Sequence, residues 1–144
     1  MLEDRKAISG NAFIIDSGAV MWSSKKQELV LLSMTESEYI AATHTTKETL
    51  WLVSLIRQIF SHLDLPMMLY NDNQSAIALA KDQQYHMCTK HIDIRFHFIC
   101  WVIKEGKIKL VYCPTEEMVA NTLTKALPSV RVKNFAHALG LRKD

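Results

Sequence analysis

Met67-Met68-Leu69-Tyr70-Asn71-Asp72-Asn73-Gln74-Ser75-Ala76-Ile77-Ala78-Leu79-Ala80 is the stretch that decides the fold. An apolar run of strand length, entered just after Pro66, passes directly into a segment rich in helix formers. A strand that hands over to a helix is half of a parallel α/β unit, and open α/β sheets place ligands beyond the carboxyl ends of their strands. Asp72 stands at that junction. Its carboxylate has two readings from the residues alone: a helix cap that accepts an orphan backbone N–H and suits the dipole, or a charged group held over the sheet edge for a ligand.

The flanking sequence supplies the other elements. Ala12-Phe13-Ile14-Ile15 and Ala19-Val20-Met21-Trp22, separated by Asp16-Ser17-Gly18, read as a β-hairpin. Ser33-Met34-Thr35-Glu36 is a capping box opening a long helix, which runs without Gly or Pro to about Phe60. Leu52, Leu55, Ile56 and Ile59 recur in it at helical spacing, and Trp51 and Leu55 are expected in the core. Ile92 to about Lys104 reads as a helix stopped by Gly106, and Ile108 to Tyr112 alternates as a strand. A helix is expected from Glu116 to Leu127, closed by Pro128, and a last one near Val130 to Leu139. One hairpin, a long helix and two strand–helix units make a mixed α/β class, read as a single domain over residues 1–144.

Composition sets outer bounds. A hydrophobic content of 49% with four Gly and three Pro excludes disordered and fibrous classes. Neither a membrane-spanning run nor a secretory leader is read, so an intracellular location, cytoplasmic or nuclear, is expected. The charge of +2 does not by itself define a polyanion binder, although basic residues outnumber acidic ones from Lys104 onward. Cys88, Cys100 and Cys113 are odd in number and form no C-x-x-C pair, which fits a reducing compartment. His86, Cys88, His91 and Cys100 carry zinc-ligand chemistry, but their spacing matches no established finger.

Seven ordered strings go further: Asp4-Arg5-Lys6, Ser24-Lys25-Lys26-Gln27, Thr35-Glu36-Ser37-Glu38-Tyr39-Ile40-Ala41, Lys47-Glu48-Thr49-Leu50-Trp51-Leu52, Asp72-Asn73-Gln74-Ser75-Ala76-Ile77, Thr89-Lys90-His91-Ile92-Asp93-Ile94-Arg95-Phe96-His97-Phe98-Ile99 and Leu123-Thr124-Lys125. Together they resemble the ribonuclease H domain of copia-type LTR retrotransposon Pol polyproteins, from Asp4 to about Leu141. The resemblance implies a ribonuclease H-like mixed sheet flanked by helices. It also implies a reverse transcriptase domain upstream in the parent polyprotein, and hydrolysis of the RNA strand of RNA–DNA hybrids with two Mg²⁺. Four carboxylates hold the ions in that family, and by position Glu38 and Asp72 are two of them. Glu36 lies about 200° around a helix from Glu38, so both cannot face one metal pair.

Two departures accompany the matches. The family's first Asp lies on a central strand upstream of Asp4-Arg5-Lys6, before Met1, and Glu3 and Asp4 are poor substitutes for it. Without that strand, reduced stability or a sheet closed by another pairing is expected. Asn121 stands where the family has its last Asp, keeping a carbonyl acceptor but no charge. Drift is also visible at Cys88 and Cys100, where the family often has Arg, and at Ala126, where it often has Pro. The expectation is therefore ribonuclease H ancestry without cleavage by this chain alone, and weak or absent Mg²⁺ binding. Lys25, Lys26, Lys90, His91, Arg95 and Lys125 are nominated for contacts to the backbone of a hybrid or other nucleic acid. His91 and His97 also have a purely structural reading as partnered helix residues. The alternative of another class is a non-catalytic nucleic-acid-binding or interaction module reused by the host.

Overall fold

Asp16 and Ser17 make the two-residue link that the apolar runs around them require. Asp16 adopts a left-handed φ of 58°, which Asp tolerates because its short side chain bonds locally. The computed structural model describes residues 7–27, 34–81 and 93–141, with backbone alone at 34–36 and 93–96. The chain divides into two compact units: Met1–Leu32 with Thr115–Asp144, and Ser33–Pro114.

In the first unit, β1 (Ile8–Ile15) pairs antiparallel with β2 (Gly18–Lys26), from Ile8 opposite Lys26 to Phe13 opposite Met21. A register shift between Phe13 and Ile14 then brings Ile14 opposite Ala19, the bulge that a strongly twisted hairpin uses. Residues 116–127 are not the expected α-helix. Two 3₁₀ turns stand there, Thr115–Glu117 and Val119–Leu123. The first is closed by Met118 N donating to Thr115 O (3.3 Å), the second by i to i+3 bonds from Asn121 N to Met118 O (3.1 Å) and Thr124 N to Asn121 O (3.2 Å). A Cβ on Gly10 would stand 2.6 Å from Thr124 Cγ2, so only glycine lets the second turn approach β1 this closely. Helix α4 (Ser129–Ala138) ends at Gly140, whose φ of 81° and closeness to Ser17 O both require glycine. There Ala19 N donates to Leu139 O (2.9 Å).

In the second unit, the 27-residue helix α1 (Met34–Phe60) packs against α2 (Gln74–Lys81), α3 (Asp93–Lys104) and β3 (Met67–Asn71). Strand β3 runs parallel to β4 (Ile108–Tyr112), from Met67 opposite Ile108 to Asn71 opposite Tyr112. Tyr39, Ala42, Ile77, Ala80, Ile99 and Leu110 form the core cluster, with Leu69 packed on it. The other side of the parallel pair exposes Met68 and Tyr70, although parallel sheets are ordinarily covered on both faces.

Trp51 and Leu55 are not core residues: they are 60% and 38% exposed. The buried stripe of α1 runs through Tyr39, Ile40, Ala42, Thr43, Thr46, Thr49, Leu52 and Val53, so that of the expected Leu52, Leu55, Ile56 and Ile59 only Leu52 is fully in it. Thr43, Thr46 and Thr49 enter it because each hydroxyl donates to the carbonyl four residues back, at 3.0, 2.7 and 2.7 Å. A threonine satisfied by its own helix buries its methyl group without an unmet polar cost.

The observed class is mixed α/β with small sheets and helices, compatible with a ribonuclease H-like fold. The described strands form two separate two-stranded sheets, so closure by another pairing is not found among the described residues. No described helix is long and apolar enough to cross a membrane.

Candidate functional site

Glu38 sits at the fifth position of α1, half-buried, immediately before Tyr39 of the core cluster. Asp72 is half-buried and follows the last residue of β3. Both belong to the second unit. One is carried by a long helix seated on the core, the other by the carboxyl end of a parallel strand, the position from which α/β sheets present polar groups.

The cap reading of Asp72 is corrected. Asn73 is the cap: its Oδ1 accepts the backbone N–H of Ala76 at 3.0 Å, the third residue of α2, and its carbonyl accepts Ile77 N at 3.1 Å. Asn71, 8% exposed, turns the chain out of β3 by accepting the N–H of Asn73 at 2.7 Å. Its own carbonyl continues the ladder by accepting Cys113 N at 3.0 Å. Two neutral amides thus make the bonds that end the strand and start the helix, and Asp72 takes part in neither. The sequence signal was present, since Asn caps as well as Asp does. The helix begins one residue later than the carboxylate suggested.

Asn121 lies in the first unit, in the second 3₁₀ turn. Its Nδ2 donates to Thr115 O at 3.1 Å, and its carbonyl accepts from Thr124 N and Lys125 N. A carboxylate at this position has no proton to give Thr115 and would place negative charge against that carbonyl. The amide is therefore the side chain that ties the two 3₁₀ turns together.

Lys25 and Lys26 are exposed at the end of β2, and Lys125 is exposed one residue beyond Thr124. Arg95 lies in the first turn of α3, where backbone alone is described. Lys90 and His91, like His86 and Cys88 of the zinc reading, lie outside the described residues. His97 is exposed on α3. Among the described residues no three His, Cys, Asp or Glu side chains gather as a metal-holding group.

Cys100 is buried, and its thiol donates to Ala80 O at 3.0 Å, satisfying a carbonyl in the last turn of α2. Burial pushes this thiol above its ordinary pKa, partly offset by the Lys104 ammonium. Tyr39, 1% exposed, has its phenol held well above the ordinary value, chiefly by burial and secondarily by Cys100.

The mixed α/β class with small sheets and helices is compatible with a ribonuclease H-like fold. The sequence is 38% identical over 143 residues, 99% of the chain, to the retrovirus-related Pol polyprotein from transposon TNT 1-94 of Nicotiana tabacum, and this match covers 11% of that polyprotein. It is 36% identical over 138 residues, 94% of the chain, to the retrovirus-related Pol polyprotein from transposon RE2 of Arabidopsis thaliana, covering 10% of it. A shorter match, 44% identical over 57 residues and 40% of each chain, is to secreted RxLR effector protein 161 of Plasmopara viticola. The chain is thus similar along nearly its whole length to one region of retrovirus-related Pol polyproteins from transposons, and spans about a tenth of their length. No protein-family model and no solved structure matches it.

Proposed function

We propose that this chain is a ribonuclease H-like region of a copia-type retrotransposon Pol polyprotein, descended from a two-metal nuclease acting on RNA–DNA hybrids, and that residues 1–144 alone bind nucleic acid without cutting it. The observation that carries this reading is Asn121. The family's last carboxylate position holds an amide engaged with Thr115 O. A pair of Mg²⁺ ions needs several converging charged oxygens. Glu38 and Asp72 supply two, Asn121 supplies none, and this donor set does not fit the ion pair. No catalytic step is assigned to the chain.

What persists is polyanion chemistry. Lys25, Lys26 and Lys125, with Lys90, His91 and Arg95 of the matching strings, are the residues proposed to meet phosphates, of an RNA–DNA hybrid in the first instance. Fluorescence anisotropy with a labelled hybrid of about 18 base pairs, titrated at 50 and 200 mM NaCl with the RNA strand then run on a denaturing gel, tests the reading. Salt-sensitive binding with intact RNA is expected. Affinity that does not change with salt, or cut RNA, contradicts it.

A further inference from the structure

Trp22 is 66% exposed in the middle of β2, a position where an indole would ordinarily bury its large apolar area. Side chains alternate along a strand, so Trp22, Ser24 and Lys26 share one face of the hairpin. The residues opposite them on β1 are Ala12, Gly10 and Ile8. The second 3₁₀ turn crosses this face at the Gly10–Ser24 pair. Ser24 Oγ donates to Leu123 O, and Gly10 leaves room for Thr124. The turn therefore lies between Trp22 on one side and Lys26 on the other, and hands the chain on to Lys125. Ala12 is too small to cover the ring from β1.

We propose that this face is a stacking platform for a single nucleic-acid strand. An unpaired base lies on the Trp22 indole, and the backbone runs over the turn toward the ammonium groups of Lys26 and Lys125. The chemistry selects the occupant. An aromatic plane beside cations is the pairing that single-strand binders use, because every base has a π-face and every linkage a negative charge. Ser24 and Thr124 put hydroxyls at the crossing point, groups that serve contacts to a phosphate backbone and that a lipid surface does not call for. The described acidic residues of this unit are Asp16, in the hairpin turn, and Glu116 and Glu117, in the first 3₁₀ turn. Trp22 and Lys26 are four residues apart, about 13 Å along an extended strand, a reach of about two linkages of a single nucleic-acid strand.

The platform deepens the nucleic-acid reading above and rests on it for ancestry, but it uses residues of the first unit and no carboxylate. The test is anisotropy of a fluorescein-labelled twelve-residue oligouridine with the full chain, at 50 and 200 mM NaCl. Trp22→Ala weakens binding about tenfold, whereas Trp22→Phe, which keeps a stacking ring, stays within about threefold. Lys125→Ala weakens binding and lowers the salt slope by about 0.7, and Trp51→Ala, at an exposed aromatic of the second unit, leaves both unchanged. Wild-type affinity in Trp22→Ala, no binding by the wild type, equal affinity at both salts, or partition onto anionic phospholipid vesicles in place of the oligonucleotide overturns the platform. Cleavage of a hybrid would refute the non-cutting reading and leave the platform standing. A Trp22→Ala protein that fails to fold by circular dichroism leaves Trp22→Phe and Lys125→Ala to decide, and wild-type salt slope in Lys125→Ala overturns the proposal.

Discussion

Replacing Asn73 by Ala should destabilise the protein more than neutralising Asp72. Asn73 Oδ1 holds the Ala76 N–H at 3.0 Å, and removing it leaves one of the four orphan donors of α2 without its side-chain partner. Losing such a cap costs about 1 kcal/mol. Asp72 makes neither junction bond and can contribute only through its charge near the amino end of α2, about 0.3–1 kcal/mol at low salt. Urea denaturation separates the two: with a slope of about 2 kcal/mol/M, Asn73→Ala lowers the midpoint by about 0.5 M. Asp72→Asn lowers it by about 0.15–0.5 M at low ionic strength, and this loss shrinks in about 0.5 M NaCl, where charges are screened within a few ångströms. The loss in Asn73→Ala persists in salt because it is a hydrogen bond. Asn71→Ala, which unties a buried side chain from the Asn73 amide, costs about 1–3 kcal/mol. If Asp72→Asn costs as much as Asn73→Ala and does so at high salt, the assignment of the cap is wrong.

Gly10→Ala places a methyl 2.6 Å from Thr124 Cγ2 and should cost about 1–3 kcal/mol. Thr124→Ser, which removes that methyl, should restore part of the loss in a double-mutant cycle. On α1 and α3, Ile99→Ala at a fully buried position should cost about 2–5 kcal/mol, whereas Trp51→Ala at a 60% exposed one should stay within about 1 kcal/mol; equal thermal shifts would refute the placement of the core. Tyr39 gives a pH test. Its folded pKa is raised by burial, so above the ordinary value of about 10 the unfolded chain gives up the phenolic proton while the folded chain keeps it. Stability contributed by the neutral phenol is then complete below pH 10 and falls above it, by up to about 1.4 kcal/mol per pH unit. Tyr39→Phe should flatten this alkaline slope in urea titrations between pH 9 and 11, and an unchanged slope would refute the cause.

The hairpin and the β3–α2 junction were legible because their signals are local: an Asp-Ser-Gly turn between apolar runs, and a strand-length run meeting helix formers. Of the stripe of α1, only Leu52 was. Periodicity counts apolar letters, and Thr43, Thr46 and Thr49 read as polar, although their hydroxyls are satisfied by the helix that carries them. Leu55 and Ile59 kept the apolar period on a face that packing leaves exposed. The expected helix at 116–127 failed for a related reason. A Pro-Thr opening and a closing Pro bound a segment without fixing its hydrogen bonding, and the Asn121 amide on Thr115 O favours the tighter 3₁₀ turns.

The site was legible in a different sense. Glu38 and Asp72 have no spacing that marks them as a pair, and only the ordered strings around them single them out. The structure carries them on one unit, Glu38 on a helix seated on the core and Asp72 just after a strand's carboxyl end. What the strings could not give is the work done by the neighbours. Asn73 takes the cap and Asn71 the turn, so Asp72 makes neither junction bond, while the Asn121 amide makes a hydrogen bond that its turn uses.

That residues 1–144 do not cut an RNA–DNA hybrid is the central claim, and one assay addresses it. An RNA–DNA hybrid labelled on its RNA strand is incubated with residues 1–144 in Mg²⁺ and in Mn²⁺, beside Asp72→Asn prepared identically. The account predicts intact RNA in every lane. Metal-dependent cutting by the wild type that disappears in Asp72→Asn would contradict it.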